Sequence, residues 1–490
     1  MASVSPIQHV FVLMLENHSF DNMLALSGIP GIDAATPSDS NTYNSVTYSV
    51  AGNAPSSMPT DPGHEFPDVV EQLAGQNAHY PNGGPYPAIN NSGFAANYAT
   101  TTTEGPLPPT GDVGDIMLCF NTATQLPVLN QLATEFVVCD RWFSSLPGPT
   151  WPNRFFLHGG SSNGLDHSPT TAEMLEWELL DGFKYPHQSI YDAMSARHVG
   201  YRLYHDDNGP LEGRVSQVSS LHGIELWDVN DLSGFASDLS KPYPYAYTFI
   251  EPNYGDVING SYANGSSQHP MDGVTKGEAL MKQVYEALRN SPLWESSVLI
   301  LTYDEHGGFY DHAAPGSAYP PDDGSSAKYN QYGFTFEQYG VRVPALVISP
   351  WVAAGVDHTV YDHSSVLKTL ESLFFPVLTL TSRDGNAQPI AGVMSPGQLR
   401  TDCPTTLVAP AATEPTRAPA VDLAARELEP VPDGSSLTGY LGVLLKADSQ
   451  MSGHDAALAK FQAVRTRGDA RAYLQAVMGQ VLAAKAQRNG

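Results

Sequence analysis

The chain has 490 residues and only three cysteines, Cys119, Cys139 and Cys403. An odd and low number of cysteines excludes a disulfide framework as the source of stability. Cys119 and Cys139 could still pair, but Cys139 ends an apolar run and is better explained as a buried thiol. The fold must therefore be held by an ordinary hydrophobic core.

Cationic residues are also scarce. Lys and Arg total 24 against 51 Asp and Glu, which gives a formal net charge of −27. Binding to a phosphate backbone requires basic surface, so nucleic acid is excluded as a partner. The same charge disfavours passive adsorption to anionic membranes.

Long apolar runs are missing as well. No stretch approaches the roughly 20 apolar residues of a membrane span, so no integral membrane segment is expected. The N-terminus lacks the basic and apolar parts of a signal peptide. The sequence as written therefore predicts a cytoplasmic protein, or a secreted or periplasmic one if a signal has been removed.

Apolar runs of strand length alternate with helical patterns. Buried strands are predicted near residues 9–15, 136–140, 246–250, 298–303 and 343–349. Helices are predicted from apolar residues at helical spacing in three segments, around 126–133, 280–288 and 364–374, the last with Ser364 as its N-cap. Strands that alternate with helices imply an α/β fold with a mostly parallel sheet covered on both faces.

The first chemically informative segment is the strand 10–15 and the polar residues directly after it. Glu16 and Asn17 follow six apolar residues. The C-terminal ends of strands are where open α/β sheets bind ligands. Both side chains offer oxygen, which suits a cation. The alternative is a strand end followed by an ordinary turn.

A second strand, 298–303, has the same design. Asp304, Glu305 and His306 follow it, and then Gly307 and Gly308. Adjacent carboxylates near a protein interior repel each other unless a cation or proton offsets the charge. The glycines permit a tight turn and close approach of a ligand. The alternative is a solvated acidic turn.

The third segment surrounds Thr150. Pro152 is tolerated in a first helical turn, which places Thr150 at or just before a helix N-terminus. Free N–H groups there favour an anion such as phosphate. A hydroxyl in that position is placed like a nucleophile, and the alternative is that Thr150 is only an N-cap.

Together the segments 16–21, 147–154 and 303–312 resemble, in order, the motifs of a bacterial and plant phosphoesterase family that contains non-specific phospholipases C and acid phosphatases. The resemblance implies an alkaline-phosphatase-like three-layer sandwich. On this interpretation residues 1–375 are the phosphoesterase catalytic domain. Residues 376–435, rich in Pro, Ala and Thr, form a linker or extended loops, and 436–490 form a helical C-terminal extension.

The resemblance also implies a metal-dependent phosphoric ester hydrolase. The implied ligands of a divalent ion are Glu16, Asn17, Asp304 and Glu305. The ion could be Ca, Mg, Mn, Zn or Fe, and Thr150 would form a phospho-threonine. Threonine as nucleophile favours phospholipase C-type cleavage of a phosphodiester, with a phospholipid or a small phosphoester as substrate.

Two other functions stay open at this point. The first is an acid phosphatase that acts on phosphomonoesters. The second, more remote, is a non-catalytic protein that binds a phosphate ligand on the same scaffold. The oligomeric state is not set by the sequence.

The resemblance also covers three loop histidines, His64, His205 and His269. The family places histidines around its phosphate site in the same order along the chain. We expect His269 to protonate the leaving oxygen. For each of them the alternative is a surface loop position. His306 and His312 are expected to support the carboxylates or to pack the glycine turn, and Asp21 is expected to hold its own loop.

Aromatic loops offer a route to lipid contact for so acidic a protein, and the alternative, which is commoner for such side chains, is that they pack in the core. The candidate segments are Trp142–Phe143, Phe155–Phe156 and 334–336.

Overall fold

A computed structural model describes residues 6–179, 181–324, 329–394, 398–412 and 422–489. Ten strands lie in this part of the chain: β1 (His9–Leu15), β2 (Ser40–Tyr43), β3 (Val46–Ser49), β4 (Val137–Cys139), β5 (Gly200–His205), β6 (Asn230–Asp231), β7 (Tyr245–Glu251), β8 (Ser297–Tyr303), β9 (Ala345–Ile348) and β10 (Gly355–Asp357). β2 and β3 form a separate hairpin, and the other eight form one sheet in the order β10-β4-β9-β8-β1-β7-β5-β6.

The sheet is mostly parallel, as the sequence predicts. β1 lies between β7 and β8 and is parallel to both. β9 is antiparallel to its neighbours β4 and β8, which makes the sheet mixed. Every residue of β8 is buried, because a central strand covered on both faces needs a continuous apolar run.

The five predicted strands are confirmed, with ends that move by one or two residues. The short strands β6 and β10 and the hairpin β2–β3 were not predicted. They have two to four residues each and no run of apolar side chains, so their sequences carry little strand signal.

Sixteen α-helices are described: α1 (Phe20–Leu24), α2 (Phe66–Ala74), α3 (Phe94–Thr100), α4 (Thr122–Gln125), α5 (Pro127–Glu135), α6 (Thr150–Gly159), α7 (Thr171–Leu179), α8 (Ile190–Ala196), α9 (Phe235–Leu239), α10 (Thr275–Arg289), α11 (Ser364–Phe374), α12 (Ser382–Asn386), α13 (Leu423–Arg426), α14 (Ser436–Ser452), α15 (His454–Ala463) and α16 (Arg467–Asn489). α10 contacts α5 and α9, whereas α6 contacts α8 and α11, so two groups of helices flank the sheet in a three-layer arrangement. The predicted helices correspond to α5, α10 and α11.

The predicted cap of α11 is wrong. Ser364 is the first helical residue and His363 is the N-cap. The Ser364 hydroxyl donates to Asp362 instead of accepting from the helix backbone. Helical spacing locates a helix better than it locates the first residue.

The described parts of 376–435 lie against the catalytic body. They contain α12 and α13 and buried apolar side chains such as Ile390 and Leu407. The buried Arg383 donates to the Ser145 carbonyl oxygen at 2.8 Å. The C-terminal helices also pack on the chain itself, with α14 against α6 and α7.

In the described residues, no helix is both long and apolar enough to cross a membrane. All three cysteines are buried free thiols.

Candidate active site

The strands β1 and β8 end side by side and bring the first two motifs together. Leu15 pairs with Tyr303 in register, and the Asp304 N–H donates to the Leu15 carbonyl oxygen at 3.3 Å. Glu16 and Asp304 therefore leave the same edge of the sheet on neighbouring strands. Adjacent strands lie about 4.8 Å apart, which fixes these backbones within reach of one ligand.

Asn17 joins the two strand ends. Its N–H donates to Asp304 Oδ1 at 3.0 Å, and its φ of 59° is one that Asn tolerates better than most side chains. Gly307 has a φ of 61°, and a Cβ there would overlap the Asn17 carbonyl oxygen. The glycine in this turn is thus required by both conformation and space.

Thr150 is the first residue of α6, and its side chain faces Asn17. Its Oγ1 donates to Asn17 Oδ1 at 3.2 Å, and the residue is only 1% exposed. Pro149 is the N-cap and makes no capping bond through its side chain. The interpretation of Thr150 as an N-cap is therefore not what the structure shows, and its hydroxyl is available to the site.

Several buried polar atoms just after β1 and β8 have no hydrogen-bond partner in the described part of the chain. They are both carboxylate oxygens of Glu16, Oε1 of Glu305 and Nδ2 of Asn17. Burial and then the Asp304 charge raise the pKa of Glu16 to about 8, and burial also raises the pKa of Asp304. Unsatisfied buried carboxylates are costly alone but suit a bound cation.

These residues fit a divalent metal ion. Glu16 and Asn17 follow β1, and Asp304 and Glu305 follow the adjacent β8, so the four oxygen-bearing side chains start from one edge of the sheet. Repulsion among their carboxylates is of the kind that a cation relieves. An oxygen-only set is preferred by Mg, Ca and Mn, whereas Zn or Fe would need an added nitrogen ligand.

Arg154 is a site residue to which the sequence analysis gave no role. Its Nε donates to Asp304 Oδ2 at 2.8 Å, and its Nη2 donates to the Leu15 carbonyl oxygen at 3.1 Å. It lies four residues after Thr150 on α6 and hence on the same helix face. That spacing was the signal that could have found it.

His64 lies beside the glycine turn. A Cβ on Gly308 would come within 2.8 Å of the Gly63 carbonyl oxygen, so the segment before His64 packs directly on this turn. His64 Nε2 is 3.7 Å from Glu104. Burial favours the neutral ring, but the charges of Glu104, Glu305 and Asp61 raise the pKa of His64 well above its usual value.

His269 lies next to His64, with ring centroids 6.4 Å apart. It stacks on Tyr262 at 3.4 Å, and its Nε2 is 3.6 Å from Asp61. Burial and then the His64 charge lower the pKa of His269 well below its usual value. Asp61, Glu104 and Tyr262 were not predicted, since acids and tyrosines in loops are common.

His205 has different neighbours. It lies at the end of β5, and its Nε2 is 3.0 Å from Asp231 and 3.4 Å from the Lys485 ammonium group of α16. Within the described residues, the hydrogen bonds and ion pairs of the His205 ring do not involve Thr150 or the four predicted metal ligands. Its catalytic role stays a prediction that this geometry does not support.

The two remaining histidines support carboxylates. His306 Nδ1 is 3.2 Å from Glu305, and its Nε2 pairs with Gln72 at 2.8 Å. His312 donates through its backbone and its Nδ1 to Asp21 Oδ2, each at 2.7 Å.

Asp21 holds loops together, as expected. Besides His312, it accepts from the Ala35 N–H at 2.9 Å. Asp21, Asp311 and His312 lie close enough to share an ion. Arg342 is bonded to both carboxylates, at 3.2 and 2.8 Å, and offsets one of their two negative charges.

The expectation of lipid contact through aromatic loops is wrong for the residues named. Every aromatic residue of the three segments is buried: Trp142, Phe143, Phe155, Phe156, Phe334 and Phe336. They pack in the core, where large apolar side chains contribute most to stability.

The fold thus places the buried Thr150 hydroxyl beside Asn17, at an edge of the sheet where carboxylates follow two adjacent strands. A family model described as "Phosphoesterase family" matches residues 7–375, about three quarters of the chain. The chain belongs to this family, and it is a phosphoric ester hydrolase.

Relatives of known name agree with this assignment. Non-specific phospholipase C6 of Arabidopsis thaliana is 34% identical over 84% of this chain and 77% of its own length. Non-specific phospholipase C3 of the same plant is 32% identical over 92% of this chain and 84% of its own length. Phospholipase C B of Mycobacterium tuberculosis (strain H37Rv) is 28% identical over 77% of this chain and 75% of its own length.

Among solved structures, a protein in the alkaline phosphatase superfamily from Vibrio parahaemolyticus aligns with 54% of this chain and 62% of its own. The identity is 11% and the TM-score is 0.29.

Proposed function

We propose that this protein is a metal-dependent phosphodiesterase of the phospholipase C type, which releases diacylglycerol through a phospho-threonine on Thr150. The observation that carries the proposal is the buried Thr150 hydroxyl, which lies 3.2 Å from Oδ1 of Asn17, the residue directly after the buried and unsatisfied carboxylate of Glu16. The names of the relatives support a phospholipid as the substrate.

The metal ligands in this proposal are Glu16, Asn17, Asp304 and Glu305. When bound, the ion supplies positive charge that favours an alkoxide at neutral pH and offsets charge on the phosphoryl oxygens. Arg154 holds Asp304 in place through the 2.8 Å ion pair. His306, in contact with Glu305, restrains the opposite side of the same set.

The chain's own groups position the reaction. Asn17 Oδ1 accepts from the Thr150 hydroxyl and so directs the oxygen lone pairs away from the amide and towards an incoming phosphorus atom. In the first turn of α6 the N–H groups of Thr150 and Trp151 would donate to phosphoryl oxygens, since Pro152 has no N–H, and donors fixed in advance favour the transition state. Burial of Thr150 keeps bulk water from competing with the substrate.

The test compares hydrolysis of nitrophenyl phosphorylcholine by the wild type and by Thr150→Ala, before and after chelation and metal add-back. We expect the variant to lose at least about 1,000-fold in kcat. We also expect the chelated enzyme to recover only when a metal is returned. Thr150→Ser is the matched variant and should keep much of the activity, because it retains a hydroxyl.

Three results would contradict parts of the proposal. Unchanged activity of Thr150→Ala removes the nucleophile. Clear preference for nitrophenyl phosphate replaces the phospholipase with an acid phosphatase. Absence of hydrolysis of both esters with every added metal favours the binding protein.

A further inference from the structure

A cleft of about 310 Å³ is formed by segments that are far apart in the chain. Asp61 and Glu104 line it from the N-terminal part, and Arg426 and Glu429 line it from α13 and the turn after that helix. The Arg426 Nε donates to the carbonyl oxygen of Asn259, another lining residue, at 3.0 Å. This bond holds the C-terminal side of the cleft on the body of the protein.

The cleft adjoins the residues that position the proposed nucleophile. Pro62 directly follows the lining residue Asp61, and a Cβ on Gly308 would come within 2.7 Å of the Pro62 Cβ. The preceding glycine of the same turn packs on Asn17, which accepts the hydrogen bond from Thr150. A short series of packed residues therefore joins the wall of the cleft to Thr150.

Leucine side chains are exposed beside the cleft. Leu107 and Leu423 each directly follow a lining residue, and Leu428 directly precedes one. The three residues are 51%, 51% and 78% exposed. Single exposed apolar residues are ordinary, but apolar side chains grouped beside charged residues are typical of a surface that contacts lipid or protein.

The charge of the cleft is mostly negative. Among the described residues that line it, one guanidinium, that of Arg426, accompanies the four carboxylates of Asp61, Glu104, Asp422 and Glu429. The Asp61 side chain is 10% exposed, and its Oδ1 has no hydrogen-bond partner within the described residues. A buried free acceptor of this kind favours a cation. The ammonium groups of a zwitterionic lipid surface complement such a cleft, whereas an anionic surface is repelled by it and by the net charge of −27.

We propose that Leu107, Leu423 and Leu428 are the surface by which this protein docks on a zwitterionic phospholipid aggregate; this rests on the proposed function and deepens it. The leucines enter the apolar region below the head groups, while the carboxylates of the cleft stay level with the ammonium groups. The docking surface thereby lies next to the site that has to receive the lipid. It takes the role that the buried aromatic segments cannot fill.

The experiment measures binding by flotation with phosphatidylcholine vesicles. The full-length parent chain carries Thr150→Ala, so that lipid is not consumed during the measurement. The test variant adds three substitutions to the parent: Leu107→Gln, Leu423→Gln and Leu428→Gln. We expect its partition onto the vesicles to fall about 10-fold or more, because three apolar side chains no longer leave water. Vesicles of phosphatidylglycerol should bind the parent about 10-fold less than phosphatidylcholine does.

A matched control removes exposed apolar side chains that are not next to lining residues. The substitutions are Leu179→Gln, Val377→Gln and Val408→Gln, at positions that are 70%, 96% and 45% exposed. The control should float within about 2-fold of the parent. With Thr150 restored, both triple variants should hydrolyse nitrophenyl phosphorylcholine as the wild type does, since this ester is soluble. Only the test variant should lose about 10-fold or more on phosphatidylcholine vesicles.

Several results would overturn the proposal. They are a parent that does not float with phosphatidylcholine, equal partition of the test variant and the control, and stronger binding to phosphatidylglycerol. A dimer that the test variant loses in sedimentation, with flotation unchanged, would assign the leucines to a second copy of the chain instead. If the wild type hydrolyses neither ester, the proposed function fails, while flotation still decides whether the leucines bind lipid. If the test variant is less heat-stable than the control, Leu428→Gln alone takes its place with an expected loss of about 3-fold.

Discussion

At the scale of single residues, the site depends on side chains whose geometry allows no close substitute. Arg154 makes two hydrogen bonds in different directions from one guanidinium group, to Asp304 and to the Leu15 carbonyl oxygen. Thr150 is placed by its position in the first turn of α6 and by Asn17. Such residues act by holding their neighbours in one arrangement.

Arg154→Lys should lower both metal affinity and activity. A lysine keeps the charge but offers a single ammonium group in place of the planar fork, so it cannot make both bonds. We expect metal affinity to fall about 10- to 100-fold, measured by restoring activity to chelated enzyme with increasing metal. The control is Arg202→Lys. Arg202 lies on β5 and forms a partly exposed ion pair with Asp238, so this variant should recover activity at the same metal concentrations as the wild type. Identical titrations for both variants would show that Arg154 does not support the ligands.

Gly307→Ala should destabilise the protein and disturb the site. The alanine would have to adopt a φ of 61° with its Cβ against the Asn17 carbonyl oxygen. We expect a loss of about 1–3 kcal/mol in thermal unfolding, together with reduced activity. Gly316→Ala, where a Cβ meets open space, should stay within about 0.5 kcal/mol of the wild type. Equal stability of the two variants would contradict this account of the turn.

At the scale of elements, α14 supports the helix that carries Thr150. Tyr440 packs on Trp151 with ring centroids 5.6 Å apart, and it also packs on Tyr254 at 5.4 Å. The Arg154 guanidinium lies over the Tyr254 ring at 5.3 Å. Tyr440 of α14 thus reaches both Thr150 and Arg154 through one intervening ring each.

Gly439→Ala should therefore reduce kcat. A Cβ at Gly439 would overlap the Trp151 indole, which is buried and follows Thr150 directly. We expect kcat to fall about 10- to 100-fold, because small displacements of reacting groups are costly. In the control, Gly442→Ala, the Cβ meets the Met174 side chain one turn later, and a flexible thioether can move aside. Steady-state kinetics on both variants decide the matter, and equal kcat values would refute the role of α14.

At the scale of the whole molecule, residues far apart in the chain meet at one edge of the sheet. Asn17 and Thr150 are 133 residues apart, and Asn17 and Asp304 are 287 apart. A second network links Asp21, Asp311, His312 and Arg342. It joins the segments after β1 and β8 to the segment before β9, and so stabilises the body that carries the site.

This network should make stability depend on pH. Burial opposes a charge on His312, but the Asp21 carboxylate raises the pKa of His312 to about 9. The unfolded value is about 6.5, so the stabilising pair is fully present below that pH and is lost as pH rises through about 9. We expect His312→Gln to lower Tm most at pH 6 and least at pH 10. A difference in Tm that stays constant over this range would contradict the assignment.

Much of the site could be predicted from the sequence because its signals are local. A buried strand that ends in carboxylates has a recognisable pattern, and the two strands that precede Glu16 and Asp304 do lie side by side in the sheet. Pro152 located the helix that begins at Thr150. The five predicted strands were found for the same reason, since runs of buried apolar residues are local signals.

Other features were decided only by the tertiary structure, because they depend on what lies next to a residue in space. The pairing of His205 with Asp231 and Lys485, the burial of the aromatic loops and the antiparallel direction of β9 have no local signal. The same holds for Tyr440, whose partner Trp151 lies almost 300 residues away. The sequence alone determined which strands end in carboxylates and that Thr150 lies at the start of a helix. Long-range packing decided which of these groups meet, since Asn17 lies 133 residues before Thr150 and 287 residues before Asp304.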